Sequence, residues 1–182
     1  MKRCFWVNMN NPLYIDYHDF EWGIPKYDDH ELYELLILEM FQAGLSWETI
    51  LNKRKNFRKA FDNFDWNKIV NYNEDKINEL MQDRGIIRNR KKIEATINNT
   101  KIFLGIQKEY ETFSNFIWSF TNNKVINLDS NITHNELSDN ISKTLKKMGM
   151  KFVGTTIIFS YLQAIGVINS HNNDCFMAIH NK

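Results

Sequence analysis

The chain predicts an all-α protein, on three observations. Apolar residues recur at helical spacing in one segment after another, most of these segments open on a residue able to cap a helix, and the two-residue alternation of strands is scarcely visible. Its 182 residues, 43% apolar and 14% aromatic, suffice for one compact unit with a substantial core.

Asp28, with Glu31 three residues on, has the capping-box spacing and opens a helix. Leu32, Leu35, Leu36 and Met40 then trace an apolar stripe. Glu39 lies beside that stripe and not on the solvent face, a placement that calls for a reason. Ser46 predicts the cap of a second helix through Phe61, and Asp65 and Asn73 cap two more around Ile69 and Ile77. Ile93, Ile97, Thr100 and Leu104 continue the period. Ser138 to Met148 repeats it with Ile141 and Leu145 until Gly149 stops it. Asn122 to Leu137, polar and Asn-rich, reads as a surface loop. The remaining Asn and Lys are dispersed, and no internal repeat is visible.

With 23 basic against 22 acidic residues, no strong global field draws the protein to nucleic acid or to anionic membrane, so any basic surface is local. Two cysteines at opposite ends, Cys4 and Cys175, are too few for a secreted disulfide framework and predict a reducing cytoplasm. The apolar stretch Val153 to Ile168 is broken by Gly154, Thr155, Thr156, Ser160, Gln163 and Gly166, and fails as a membrane span. Lys2 and Arg3 precede too short an apolar run for a signal peptide, so the mature chain is expected to begin here, with no membrane partner.

Three constellations carry chemistry. The segment Gln82 to Lys92 is a Gly-bearing hairpin opening onto a basic helix. Its amides, the helix N-terminus and Arg88, Arg90, Lys91 and Lys92 would suit a phosphate, as in a helix-hairpin-helix DNA clamp. An ordinary helix connection with a solvated basic face fits the same pattern. Cys4, His18, His171 and Cys175 make a donor set for a closed tetrahedral zinc, which would be structural because no position is left for water. A buried cysteine beside a packed histidine fits them as well. Trp6, Tyr14, Tyr17, Trp22 and Trp47, with Glu21 and Glu39, suit a purine pocket in which bases stack on rings and a carboxylate accepts from amines. In a small helical domain such rings also serve simply as core.

Ordered blocks along the whole chain resolve these alternatives together. They include Arg3-Cys4-x-Trp6-Val7, Pro12-Leu13-Tyr14-Ile15, Tyr17-His18-Asp19-x-Glu21-Trp22-Gly23, Leu38-Glu39, Gln42-Ala43-Gly44-Leu45-Ser46-Trp47, Gly85-Ile86-Ile87-Arg88, Trp118-Ser119-Phe120 and Lys151-Phe152-Val153-Gly154-Thr155-Thr156. In these blocks the chain resembles the zinc-containing bacterial 3-methyladenine DNA glycosylase I family. The resemblance implies a helix-hairpin-helix glycosylase fold and hydrolysis of the bond between 3-methyladenine and deoxyribose in duplex DNA, with free 3-methyladenine as product. It also implies one structural zinc on Cys4, His18, His171 and Cys175. Carried over by position, Glu39 and Tyr17 are the catalytic pair that bonds the excised base, Trp47 stacks on it, and Tyr14, Trp22 and Trp6 wall the pocket. Leu45 wedges into the gap left by the flipped nucleotide, and Gly85, Ile86, Arg88 and Arg90 meet the backbone. Ser170 before His171 and Lys91 in the hairpin's second helix depart from the family's frequent Asp and Gly.

One unit, 1–182, in two intimate lobes is expected: a central helical lobe with the hairpin motif at about 74–104, and a zinc lobe from the N-terminal segment and about 150–182. A monomer is the default. No residue is evident to position the attacking water, with Asp19 in reserve. The competing reading is a non-catalytic, zinc-stabilised DNA-binding or lesion-sensing module. A zinc deaminase is disfavoured by the closed donor set and by the lack of its His-x-Glu and Pro-Cys-x-x-Cys pattern.

Overall fold

The computed structural model describes residues 1–128 and 132–178. Nine α-helices form among these residues: α1 Pro12–Phe20, α2 Asp29–Gln42, α3 Trp47–Ala60, α4 Trp66–Ile69, α5 Glu74–Gln82, α6 Arg90–Tyr110, α7 Phe113–Ser119, α8 Glu136–Lys147 and α9 Thr155–Ala164. The expected caps at Asp28, Ser46, Asp65 and Asn73 each accept a backbone N–H of the first helical turn. So do Asn11, Asn89, Thr112 and Asn135, which gives the dispersed asparagines a purpose: four of the helices start on one. The Ser138 segment starts earlier than its apolar period suggested. Asn135 is its cap, and Ser138 completes the reciprocal box by accepting the Asn135 N–H.

Helix α2 is the axis of the molecule. The expected stripe is instead a helix buried on every side, with each residue from Leu32 to Phe41 inside, because α3, α6, α7 and α9 surround it. This places two carboxylates in the interior, Glu34 and Glu39. Phe41, Phe57 and Phe61 pack in a chain of ring contacts on one side, and Tyr33, Trp66, Phe103 and Phe113 on another. Tyr161 Oη on α9 donates to the Leu32 carbonyl, and Trp118 Nε1 on α7 donates to that of Lys26, so the rings that fill the core also satisfy their polar atoms.

The expected loop Asn122 to Leu137 is not wholly irregular. Its residues 129–131 lie outside the described part, but Ile126–Asn127 (β1) pairs in parallel with Ile168–Asn169 (β2). Two residues are too short a run for alternation to show in sequence. The bridge delivers the chain from α9 directly to Ser170 and His171. At the turn out of α9, Gly166 has φ +74°, and a Cβ there would lie 2.3 Å from the Ile24 carbonyl carbon, so the segment before α2 and the segment after α9 meet backbone to backbone.

Candidate active site and metal centre

The two chain ends converge on four donor atoms. Cys4, His18, His171 and Cys175 are all buried, and their ligand atoms lie within 4.8 Å of one another. Cys175 Sγ is 3.3 Å from His18 Nε2 and 3.6 Å from His171 Nδ1, and Cys4 Sγ is 3.5 Å from His171 Nδ1. Metal–sulfur bonds of about 2.3 Å and metal–nitrogen bonds of about 2.0 Å at a tetrahedral angle put S and N about 3.5 Å apart, so the spacing fits a single ion. Both cysteines are free thiols. Burial pushes the Cys4 thiol up to about 12 and pulls the His171 imidazole down to about 4.

The far nitrogen of each imidazole is also engaged. His18 Nδ1 lies 2.8 Å from Asp19 Oδ1, and Asp19 is gripped in turn by Arg3 through bonds of 2.7 to 3.0 Å. His171 Nε2 faces the Trp22 carbonyl at 3.3 Å. Such partners orient ligating imidazoles and fix their tautomer. The contact with Trp22 requires Gly23: its φ is +74°, and a Cβ would stand 2.9 Å from His171 Nε2. Asp19, the reserve candidate for positioning water, is instead engaged with His18 of the sulfur–imidazole cluster. It lies outside the aromatic cavity lining, and the Arg3 guanidinium holds its carboxyl below the usual range.

Beside this cluster lies a cavity of about 320 Å³ whose lining includes Trp6, Tyr14, Tyr17, Trp22, Glu39 and Trp47. Trp22 serves both sites, packing edge-on to His171 at 4.6 Å and against Trp6 at 4.8 Å. Tyr17 and Trp47 meet at 5.2 Å. Among the described residues only two buried side-chain polar atoms lack a partner, Glu39 Oε2 and Trp47 Nε1, and both residues line this cavity. Burial alone pushes the Glu39 carboxyl up to about 8. Burial and the neighbouring Glu39 hold the Tyr17 phenol well above its ordinary range, so it stays a donor. Polar lining that sequence reasoning missed comes from Gln42, Ser160, Gln163, Ser170 and Asn172. Ser160 and Gln163, three residues apart in the apolar run that follows Thr155 and Thr156 in α9, were the available signal: polar interruptions sharing one helix face.

Between α2 and α3 the chain turns through Gly44, at φ +82°, and exposes Leu45. The hairpin between α5 and α6 docks on α3, with Lys53 Nζ donating to the carbonyls of Arg84 and Gly85 and Asn56 Nδ2 to that of Gly85. Ile86 is buried beneath it, and Arg84 and Arg88 are exposed. Arg90 is tied to Glu74, to Glu94 at 2.9 Å and to Asn78 at 3.2 Å. Lys92, counted with the phosphate-facing charges on sequence, turns inward. Its Nζ donates to the Phe41 and Ala43 carbonyls, each at 2.7 Å, and so closes the C-terminal end of α2.

A helical protein with a hairpin flanked by helices, an aromatic cavity around an unpaired buried carboxylate, and a sulfur–imidazole cluster behind its wall is a protein of the helix-hairpin-helix class. The family model for methyladenine glycosylase matches residues 6–178. The chain is 46% identical to DNA-3-methyladenine glycosylase 1 of Escherichia coli (strain K12) over 180 residues, 96% of each chain. It superposes on a crystal structure of 3-methyladenine DNA glycosylase I with a TM-score of 0.94 at 43% identity, covering 98% of this chain and all of the other. It also superposes on the Staphylococcus aureus 3-methyladenine DNA glycosylase I, a structure addressing 3-methyladenine recognition, with a TM-score of 0.93 at 38% identity over 100% and 99% of the two chains. The chain belongs to the methyladenine glycosylase family.

Proposed function

We propose that this protein is a DNA glycosylase that hydrolyses the N-glycosidic bond of 3-methyladenine in alkylated duplex DNA, releasing the free base and leaving an abasic site. The observation that carries this reading is the pair of unpartnered polar atoms on the cavity wall. A buried group left without a partner costs about 1–3 kcal/mol, and a base presenting donors and acceptors at that wall removes the cost.

In this reading the nucleotide flips into the cavity and stacks on Trp47, while Glu39 accepts from the adenine amino edge and the Tyr17 hydroxyl donates to a ring nitrogen. Tyr14, Trp22 and Trp6 complete the wall, and Leu45 enters the gap in the duplex. Glu39 is largely neutral in the empty cavity at pH 7 and ionises as the cationic lesion enters, its proton passing to solvent. N3 methylation has already placed positive charge on the leaving group. When water adds to the sugar carbon, the electron pair of the broken bond neutralises that charge, so binding the cationic base contributes much of the catalysis. The hairpin, with Gly85 and Ile86 shaping the turn and exposed Arg88 beside it, meets the strand backbone, and Arg90 reaches it only by leaving its carboxylate partners.

Cys4, His18, His171 and Cys175 would hold zinc. A closed site supplies folding energy and no chemistry, and here it would set the Trp22 wall. Cys175→Ser is expected to lose bound zinc and thermal stability together, read by metal analysis and calorimetry; unchanged zinc content would remove Cys175 from the ligand set. The reading of the helical lobe and metal lobe as one unit rests on this clasp.

The reading is tested by assaying base release from methylated duplex DNA, separating 3-methyladenine from 7-methylguanine, with Glu39→Gln alongside. Release of 3-methyladenine alone, lost in the variant, is expected. Folded, metal-loaded protein that binds DNA and releases nothing would favour a lesion-sensing module.

A further inference from the structure

Phe5 stands between two fixed neighbours. Cys4 before it belongs to the buried metal cluster, and Trp6 after it lines the base cavity against Trp22. Its own backbone N–H donates to Asn172 Oδ1 at 3.3 Å, beside the other half of the cluster. The backbone is therefore held, yet the residue is 75% exposed while still contributing to the cavity lining, which places it at the cavity's rim. An aromatic ring anchored at its backbone and left in water has a large apolar face available without an ordering cost. Glu39 and Trp47 line the same cavity. On the reading of the cavity as a flipped-base site, what lies at this rim is the nucleotide's sugar and the strand on either side of it.

We propose that Phe5 is a strand-contacting residue that packs against the lesion-bearing strand at the cavity rim, outside the base pocket proper. It acts on the DNA after the base has entered and makes no contact with the excised base. The position differs from that of Leu45, which lies on the separate turn between α2 and α3, so the two residues would bracket the extruded nucleotide from two elements.

The experiment compares the wild-type protein with Phe5→Ala and Phe5→Tyr in binding a duplex carrying a tetrahydrofuran abasic analogue and in binding free 3-methyladenine, with zinc content measured on each. Phe5→Ala is expected to weaken duplex binding about tenfold, the loss of one aromatic stacking contact, and to leave free-base binding unchanged. Phe5→Tyr is expected to restore duplex binding. Unchanged duplex affinity in Phe5→Ala would overturn the proposal. So would an equal loss of free-base affinity, which would make Phe5 a wall of the pocket, or lost zinc, which would make it a support of the cluster. A wild-type protein that binds neither ligand would overturn the glycosylase reading itself, an outcome distinct from a failure confined to Phe5.

Discussion

Glu34 and Glu39 sit on the same helix, little more than one turn apart, both nearly inaccessible, and they have opposite fates. Glu34 accepts from Arg54 at 2.5 Å and from Arg58 at 2.8 to 3.1 Å. Burial pushes its carboxyl up, but Arg58 and Arg54 more than offset this and hold it below the usual range. Among the described residues Glu39 has no ion-pair partner and one oxygen without a hydrogen bond, and burial pushes its carboxyl up to about 8. The first carboxylate joins α2 to α3. The second is kept unsatisfied at the edge of a cavity. Burial alone does not mark a functional group; burial without a partner, facing space, does.

Exchanging each residue for its amide separates the two roles. Glu39→Gln is expected to reduce 3-methyladenine excision by roughly a hundredfold to a thousandfold, the scale of losing a charge-stabilising group in a desolvated site, with the fold intact by circular dichroism. Glu34→Gln is expected to lower stability by about 3 kcal/mol in denaturant titration, since Arg54 stays buried beside a weaker partner, while excision per folded molecule is retained. Equal losses of activity in both would erase the distinction.

The pH dependence sharpens it. For Glu39 the folded-state value is raised from 4.5 to about 8, so its contribution to stability is complete below pH 4.5 and fades as the pH rises through about 8. Glu39→Gln lacks that decline, and its stability relative to wild type is expected to grow across this window by on the order of 4 kcal/mol at pH 8. Glu34 runs the other way: its folded value is lowered, so its contribution is present above the unfolded value and lost as the pH falls. A wild-type stability curve parallel to that of Glu39→Gln from pH 4 to 9 would contradict the first assignment.

The smallest effects concern the hairpin. Arg88→Ala is expected to weaken DNA binding by about 1 kcal/mol and to reduce its salt dependence by one ion, with free 3-methyladenine affinity unchanged. Arg90→Ala is expected to do less, because Glu74 and Glu94 already compete for its guanidinium. A larger loss from Arg90 would mean that these pairs open on the duplex.

Much of the helical order was legible because a cap is a local signal, and Asp28, Ser46, Asp65 and Asn73 needed no tertiary knowledge. Asn89 and Asn135 escaped because they were lost in a chain rich in asparagine. The pocket aromatics and the four donors were individually ambiguous, and ordered family blocks brought them together where spacing alone did not. Lys92 and Asp19 show the limit of residue type as evidence. Each has the charge expected of a surface or reactive group, and each is instead committed, Lys92 to the end of α2 across 49 residues or more and Asp19 to the adjacent His18 and to Arg3, 16 residues away. The polar lining from α9 depended on which face of that helix met the cavity, and that is set only when α9 packs on α2.

The sulfur–imidazole cluster has a further consequence in chain statistics. Cys4 with His18 and His171 with Cys175 are two local half-sites, and an ion shared by all four would turn nearly the whole polypeptide into a ring of about 170 residues. Denying the unfolded chain that much freedom is worth about 5 kcal/mol on the cross-link scale. Each half-site alone closes only a short loop. The ends are also joined without it, by the Phe176 N–H donating to the Lys2 carbonyl at 2.9 Å and by the Lys2–Asp174 ion pair, so an ion on the four donors would lock a junction that the chain already forms.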